Sequence, residues 1–353
     1  MPAICIARQE RLLKLRPFGT LMLRLRLRGR RFWNEVQKRQ QPTKWARLDD
    51  RGVVPGSVSR PGDILTVQVH PYALLGHQTS GWMSGYLWAQ DLKLEYVDAP
   101  LPEDHDRLFA FGARDSKMPR GRRKVVRLPA TQDERDDTSL KLLQARVATA
   151  RARWPERAIE FRLPLDQPRF DHTPSSEALR QAVLLGARGA EFASLEQGEE
   201  YVAVHIRRPA RTNEIGPDTH PDRWLTVEWY AQLIGAIRHV EEFSECPVRV
   251  YSLGEPSSFV SLAALKNVEV HLNGERDSDF VQLAAARLLV AAPSSFSFNA
   301  ALVSRGAVLV RVPWWHHLPN EGRWVHMDSA GEFQAADMRR AVSSSFLLRP
   351  RGV

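Results

Sequence analysis

His205, Arg207 and Arg208 stand at the end of an apolar run, Tyr-Val-Ala-Val-His-Ile-Arg-Arg (201–208). Arginine keeps its charge at any physiological pH and offers a planar fork of N–H donors that fits a phosphate. Two arginines beyond an apolar strand suggest an anionic ligand; the alternative is a strand end that merely solubilises itself. Further along, residues 288–302 read as a buried strand, a serine-rich turn and a helix. Ser294, Ser295 or Ser297 can cap that helix, whose first amides lack intrahelical partners and together carry about half a positive charge. Phosphates bind such ends, although an ordinary cap with no ligand is the alternative. A third group, Asp277-Ser-Asp279, precedes that strand. Asp-x-Asp can hold a divalent ion against a diphosphate or simply cap a helix. The same pattern recurs at Asp104 and Asp106, which shows how readily it arises, and no metal site is expected.

These residues need strands and helices to hold them. Ile64–Val69 reads as a strand, residues 74–81 as a Gly-bounded turn, Gly81–Leu92 as a helix and Lys93–Val97 as a strand. Residues 137–152 and 174–197 read as helical, with a Pro-rich break at 164–174. A second series follows: strands at Tyr201–Ile206, Val248–Ser252, Val268–Leu272, Leu288–Ala291 and Ala307–Val312. Helices at Thr226–Glu241, Glu255–Leu265, Phe280–Ala286 and Ser294–Ser304 separate them. Strands alternating with helices predict parallel sheets with crossover helices. The expected fold is α/β, with two Rossmann-like doubly wound domains facing a cleft, and ligands in such folds lie outside the carboxyl ends of strands.

Composition narrows the class. Of 353 residues, 43% are hydrophobic and 26% charged, which excludes a disordered chain. Two cysteines, Cys5 and Cys246, cannot build a disulfide framework or a four-ligand zinc cage. No apolar run approaches the ~20 residues of a membrane-spanning helix. Arginines interrupt the first residues, so an export signal is not expected. The net charge of +9 is unevenly placed: residues 1–51 carry +10 and the other 302 carry −1. A near-neutral body argues against nucleic acid as the partner. In residues 7–48 leucines interleave with arginines, which suits either peripheral contact with an anionic membrane surface or an element packed on the body.

The ordered set of motifs resembles the fucosyltransferases that share a His-x-Arg-Arg signature, namely the α1,2-, α1,6- and protein O-fucosyltransferases. In those enzymes a strand ends in His-x-Arg-Arg, and a later strand leads into Ser-Ser-Phe-Ser. Here they are His205-Ile-Arg207-Arg208 and Ser294-Ser295-Phe296-Ser297. Gly76-His77-Gln78 stands where the α1,2 group carries Gly-Asn-Gln. The resemblance implies a GT-B glycosyltransferase without a metal or other cofactor, taking a nucleotide sugar such as GDP-fucose. It implies that Arg207 clamps the pyrophosphate, Arg208 supports that loop, and His205 and Asp279 contact the guanosine half. Ser294, Ser295 and Phe296 would line the phosphate pocket, and Gly76, His77 and Gln78 would face the sugar. A glutamate follows the signature in the α1,6 relatives, which makes Glu214 the first candidate for catalytic base and Asp218 the second. The chain departs from the α1,2 pattern at Pro209-Ala210, and Gly254-Glu255 stands where relatives carry two aspartates.

The sequence therefore predicts a basic arm and linker at 1–58, an acceptor-side domain at 59–198 and a nucleotide-sugar domain at 199–353. The predicted activity is inverting transfer of fucose to a bacterial surface glycan or its lipid-linked precursor. The expected location is cytoplasmic, with the arm on the inner membrane face. Transfer of another sugar, or nucleotide or glycan binding without catalysis, are the alternatives. Trp314 and Trp315 suit either an acceptor groove or the core.

Overall fold

Among the described residues ten short strands form two sheets, and every pairing in both is parallel. This computed structural model describes residues 62–68, 74–98, 107–111, 123–129, 137–164, 171–209, 216, 223–314, 316–319 and 322–346. The chain divides into units Met1–Val54 and Pro55–Val353, and all described residues belong to the second. The arm at 7–48 lies outside the described residues, as do Glu214, Asp218 and Trp315.

The first sheet has four strands: β1 (Ile64–Val67), β2 (Glu95–Tyr96), β3 (Lys124–Arg127) and β4 (Ile159–Leu163), in the order β2-β1-β4-β3. Helix α1 (Leu75–Leu92) links β1 to β2, and α2 (Asp137–Arg153) links β3 to β4. Leu65, Phe161 and Leu163 of the sheet share one buried cluster with Leu87 and Trp88 of α1 and Leu143 and Val147 of α2. Helices α3 (Ser176–Leu185) and α4 (Gly189–Gln197) lead to the second sheet.

The second sheet contains β5 (Val202–Ile206), β6 (Val248–Ser252), β7 (Val268–Leu272), β8 (Leu288–Ala291), β9 (Ala307–Arg311) and β10 (Trp324–Met327). Between them run α5 (Val227–Arg238), the short α6 (Val260–Ala263), α7 (Arg276–Ala285) and α8 (Ser295–Val303), and α9 (Ala335–Phe346) follows β10. The order is β10-β9-β8-β5-β6-β7. Counted from β5 this is the doubly wound dinucleotide-fold order, which reverses direction between β5 and β8. Alternate residues serve opposite faces, as a period of two requires. Val204, Val290 and Leu309 join one buried cluster, and Ala203, Leu289 and Val308 the other. Both faces are therefore packed, and the strands read as near-continuous apolar runs.

The helix starts follow capping chemistry. Thr226 Oγ1 accepts from Trp229 N at 3.1 Å and opens α5, whose first turn holds Glu228 and whose last holds Arg238. Glu275 caps α7 by accepting from Ser278 N at 2.8 Å.

Several elements differ from expectation. Residues 74–81 are not a turn, because α1 already begins at Leu75. Gly76 marks a close approach of two helices instead: a Cβ there would lie 2.8 Å from Ser295 Cβ and 3.0 Å from Phe296 N. Gly85 marks a close approach of α1 to strand β1, where a Cβ would lie 2.2 Å from Val67 Cγ2. The helix expected at 255–265 is a 3₁₀ turn, Pro256–Phe259, followed by one turn of α6. Strands β4 and β10 and helix α9 had no counterpart in the sequence reading. Trp82 and Trp88 are core residues, and Trp82 Nε1 donates to Asp98 at 2.6 Å. Through Gly76 and Asn299, whose Nδ2 donates to Gly76 O at 3.2 Å, α1 is fastened to α8, and Leu75, Trp82 and Met83 of α1 share a buried cluster with residues of the second sheet.

Candidate functional site

Where the strand order reverses, the ends of β5 and β8 diverge and leave a crevice. A pocket of about 330 Å³ occupies it. His205, Arg207 and Arg208 come from the tip of β5, and Ser294, Ser295 and Phe296 from the start of α8. Asp279 and Arg276 enter from the first turn of α7, and Tyr251 from the end of β6. The opposite wall is the first turn of α1, Leu74 to His77. Thus the described residues that the resemblance assigns to the nucleotide sugar, Gln78 excepted, line one space, whereas Asp277 and Ser297 do not. Gln78 is buried within α1 and is not in the pocket wall.

The two arginines are anchored differently. Arg208 donates to Arg207 O at 2.9 Å and to Leu225 O at 3.1 Å, and its guanidinium lies 4.2 Å over the Trp224 ring. Burial lowers its pKa, partly offset by Tyr230 and Glu228. Arg208 is thus a braced cation. Arg207 Nη1 donates to Arg208 O at 2.8 Å, so the two side chains cross over each other's backbone. Arg223 and Arg276 also line the pocket, which makes its wall strongly positive.

His205 is held at Nδ1 by Ser297 Oγ, and its ring meets Phe296 at 5.5 Å. Burial, with Arg207 and Arg208 adding repulsion, pushes its pKa down to about 3. It is a neutral imidazole at physiological pH, able to donate or accept one hydrogen bond but not to supply charge.

Among the described residues that line the pocket, one carries the opposite charge. Asp279 is half-buried, and burial, with Glu275 adding repulsion, raises its carboxyl to about 6. Asp277, its partner in the Asp-x-Asp pattern, is paired with Arg276 at 2.7 Å and is not in the pocket wall. Among the described residues no group of three or more His, Cys, Asp or Glu side chains is gathered for a metal. None of the described helices is long and apolar enough to cross a membrane.

At the start of α8, Ser294 Oγ accepts from Phe296 N at 3.2 Å and is the cap. Ser295 Oγ meets His316 Nε2 at 2.9 Å. Sequence reasoning missed Arg223, Arg276, Tyr251 and His316. Tyr251 was within reach, since it lies at the carboxyl end of a parallel strand adjoining β5; the lone arginines carry no comparable signal. Trp314 packs on the core beside Phe298, at 6.1 Å between ring centroids. At the end of β6, Gly254 replaces one expected aspartate with a backbone φ of 134°, and it exchanges two hydrogen bonds with the Asn273 amide.

No protein-family model matches this chain, and no curated protein matches it. Solved structures similar to it include POFUT1 in complex with GDP-fucose, at 13% identity and a TM-score of 0.45, covering 71% of this chain and 96% of that one. A mutant of Arabidopsis thaliana FUT1 in complex with GDP matches at 9% identity and a TM-score of 0.38, covering 74% and 72%. The E. coli heptosyltransferase WaaC with ADP matches at 11% identity and a TM-score of 0.39, covering 81% and 99%. At these identities and scores the likenesses carry none of the functional reading.

Proposed function

We propose that this chain is a glycosyltransferase that transfers a sugar, fucose from GDP-fucose first among the candidates, with inversion and without a metal. One observation carries the reading: paired arginines at the tip of β5 and the open end of α8 line the same 330 Å³ pocket at the strand-order reversal. A diphosphate in that crevice would meet fixed guanidinium charge on one side and helix amides on the other. As the bond from the sugar's anomeric carbon to the diphosphate breaks, the electron pair leaves with the phosphate oxygen. Arg207 and the end of α8 would stabilise the charge that builds there. The acceptor hydroxyl attacks the anomeric carbon from the other face and gives its proton to a base. Glu214, then Asp218, remain the proposed bases. Asp279 as a carboxylate would accept the two N–H groups of a guanine edge, and uracil or adenine offers no such pair.

The proposed acceptor is a bacterial surface glycan or its lipid-linked precursor, reached from the cytoplasmic membrane face through residues 7–48. Binding without turnover is the second reading. It is favoured by Gly254 and exposed Glu255, which replace the aspartates of the related enzymes.

Calorimetric titration with GDP, UDP and ADP, followed by GDP-fucose with release of fucose measured, tests both readings. The expected result is GDP binding at least tenfold tighter than UDP or ADP, and consumption of GDP-fucose. Tight GDP binding with an intact sugar donor would leave the silent binder. Failure to bind any of the nucleotides would end both readings.

A further inference from the structure

The two hydroxyls that open α8 do different work. Ser294 caps the helix, and Ser295, which lines the pocket, is left to His316. His316 follows β9 and is buried at 3% exposure. Its ring stacks face to face on Phe298, with centroids 4.2 Å apart and planes within 3°. Trp314 stands 6.2 Å away. The imidazole is therefore clamped, and its Nε2 fixes Ser295 Oγ from behind the pocket wall at 2.9 Å.

A hydroxyl between a nitrogen and an anion serves the anion in only one arrangement. If Nε2 accepts the hydroxyl proton, the serine turns lone pairs towards the pocket and repels a phosphate oxygen. If Nε2–H donates, the serine proton is released to point at that oxygen, and each bond in the chain polarises the next. We infer that His316 is a positioning residue which holds Ser295 as a hydrogen-bond donor to the leaving diphosphate. The inference rests on the glycosyltransferase reading above. Charge on the leaving phosphate oxygen grows as the sugar departs, so the chain strengthens between ground state and transition state. Its loss falls on kcat rather than on KM. The neighbouring histidines are engaged elsewhere: His172 Nε2 meets Ser84 Oγ at 3.0 Å, and His317 Nδ1 faces Asp171 at 3.7 Å.

The test compares H316F, which keeps a ring to stack on Phe298, with H316Q, whose amide N–H reaches about as far as Nε2, and with S295A and the S295A/H316F double variant. Transfer from GDP-fucose gives kcat and KM, and thermal unfolding checks that each variant folds. The expected result is a tenfold or greater fall in kcat for H316F, with KM for the sugar donor within twofold. H316Q should recover most of the loss, and H316F should add nothing in the S295A background. Wild-type kcat in H316F, a change in KM alone, or losses that multiply in the double variant would overturn the inference. Should H316F fail to fold, H316Q decides: activity near wild type supports the positioning role, and activity no better than S295A removes it. A wild-type chain that turns over no sugar donor overturns the transferase reading and this inference together, whereas an active wild type matched by H316F overturns this inference alone.

Discussion

The two sheets treat charge in opposite ways. The six-stranded sheet keeps it out of its middle: β8 is Leu-Leu-Val-Ala and wholly buried, and the charged groups gather beyond the strand ends, around the pocket. The four-stranded sheet buries charge within itself. Glu160 on the inner strand β4 is buried and bonded to Arg162. Asp63, just before β1, is paired with buried Arg151 at 2.9 Å and accepts from Ile159 N at 2.9 Å. That one carboxylate ties α2, β1 and the start of β4 together. In one sheet charge is kept at the rim, where a ligand can reach it; in the other it serves as an internal fastening.

Removing the fastening should have the largest effect on stability. Asp63→Ala leaves the Arg151 guanidinium buried without its carboxylate and strips Ile159 N of its acceptor, so it should cost about 3–5 kcal/mol in urea unfolding. A loss below about 1 kcal/mol would mean that the buried charge is ornamental and the contrast between the sheets false.

Arg207→Ala makes the complementary test. Arg207 is half-exposed at a strand tip, so its removal should leave unfolding within about 1 kcal/mol of wild type. Turnover of GDP-fucose should fall about 10²–10³-fold, the usual consequence of losing one preorganised group facing transition-state charge. Near-normal turnover, or a large loss of stability, would make β5's arginines structural like Asp63.

The same contrast explains what could be read from the sequence. Strands β6, β7 and β8 were expected with the ends they have; for β8 the reason is that an apolar run between polar turns identifies a buried parallel strand, whereas β7, Val-Glu-Val-His-Leu, is a partly exposed edge strand. Strand β4, Ile-Glu-Phe-Arg-Leu, escaped because its charges mimic a half-exposed segment, yet it pairs with β1 and β3, buries Ile159, Phe161 and Leu163, and holds its charges through the Glu160–Arg162 bond. In the site, the motifs at 205–208 and 294–297 were legible as strand tip and helix opening. Their convergence was implied by the resemblance and agrees with the rule that ligands lie beyond the carboxyl ends of parallel strands. Gly76 was visible as a glycine but not as a contact, since its close neighbour, Ser295, is remote in the chain. His316 was invisible for the same reason: no spacing rule links a residue after β9 to the hydroxyl of the first residue of α8.

The smallest predicted effect concerns Asp279, the one acid among the described residues of the pocket wall. Asp279 has its carboxyl raised from the ordinary 3.8 to about 6, by burial first and by Glu275 second. A carboxyl raised in the folded state keeps its proton where the unfolded chain has lost it. The stability it contributes is therefore full below about pH 4 and is lost as pH rises through about 6. Guanine recognition has the opposite sign, because only the carboxylate accepts the two N–H groups of the base. GDP-fucose is the suitable probe, since its esterified diphosphate has no proton to lose in this range. His205, held neutral with a pKa near 3, does not titrate there either. Affinity measured by calorimetry should rise about tenfold per pH unit up to about pH 6 and then level off. Asp279→Asn should bind more weakly at pH 7 and lose the slope altogether. An affinity flat from pH 5 to 7, or the same slope in the variant, would move base recognition away from Asp279 and leave a pocket whose charge answers to phosphate alone.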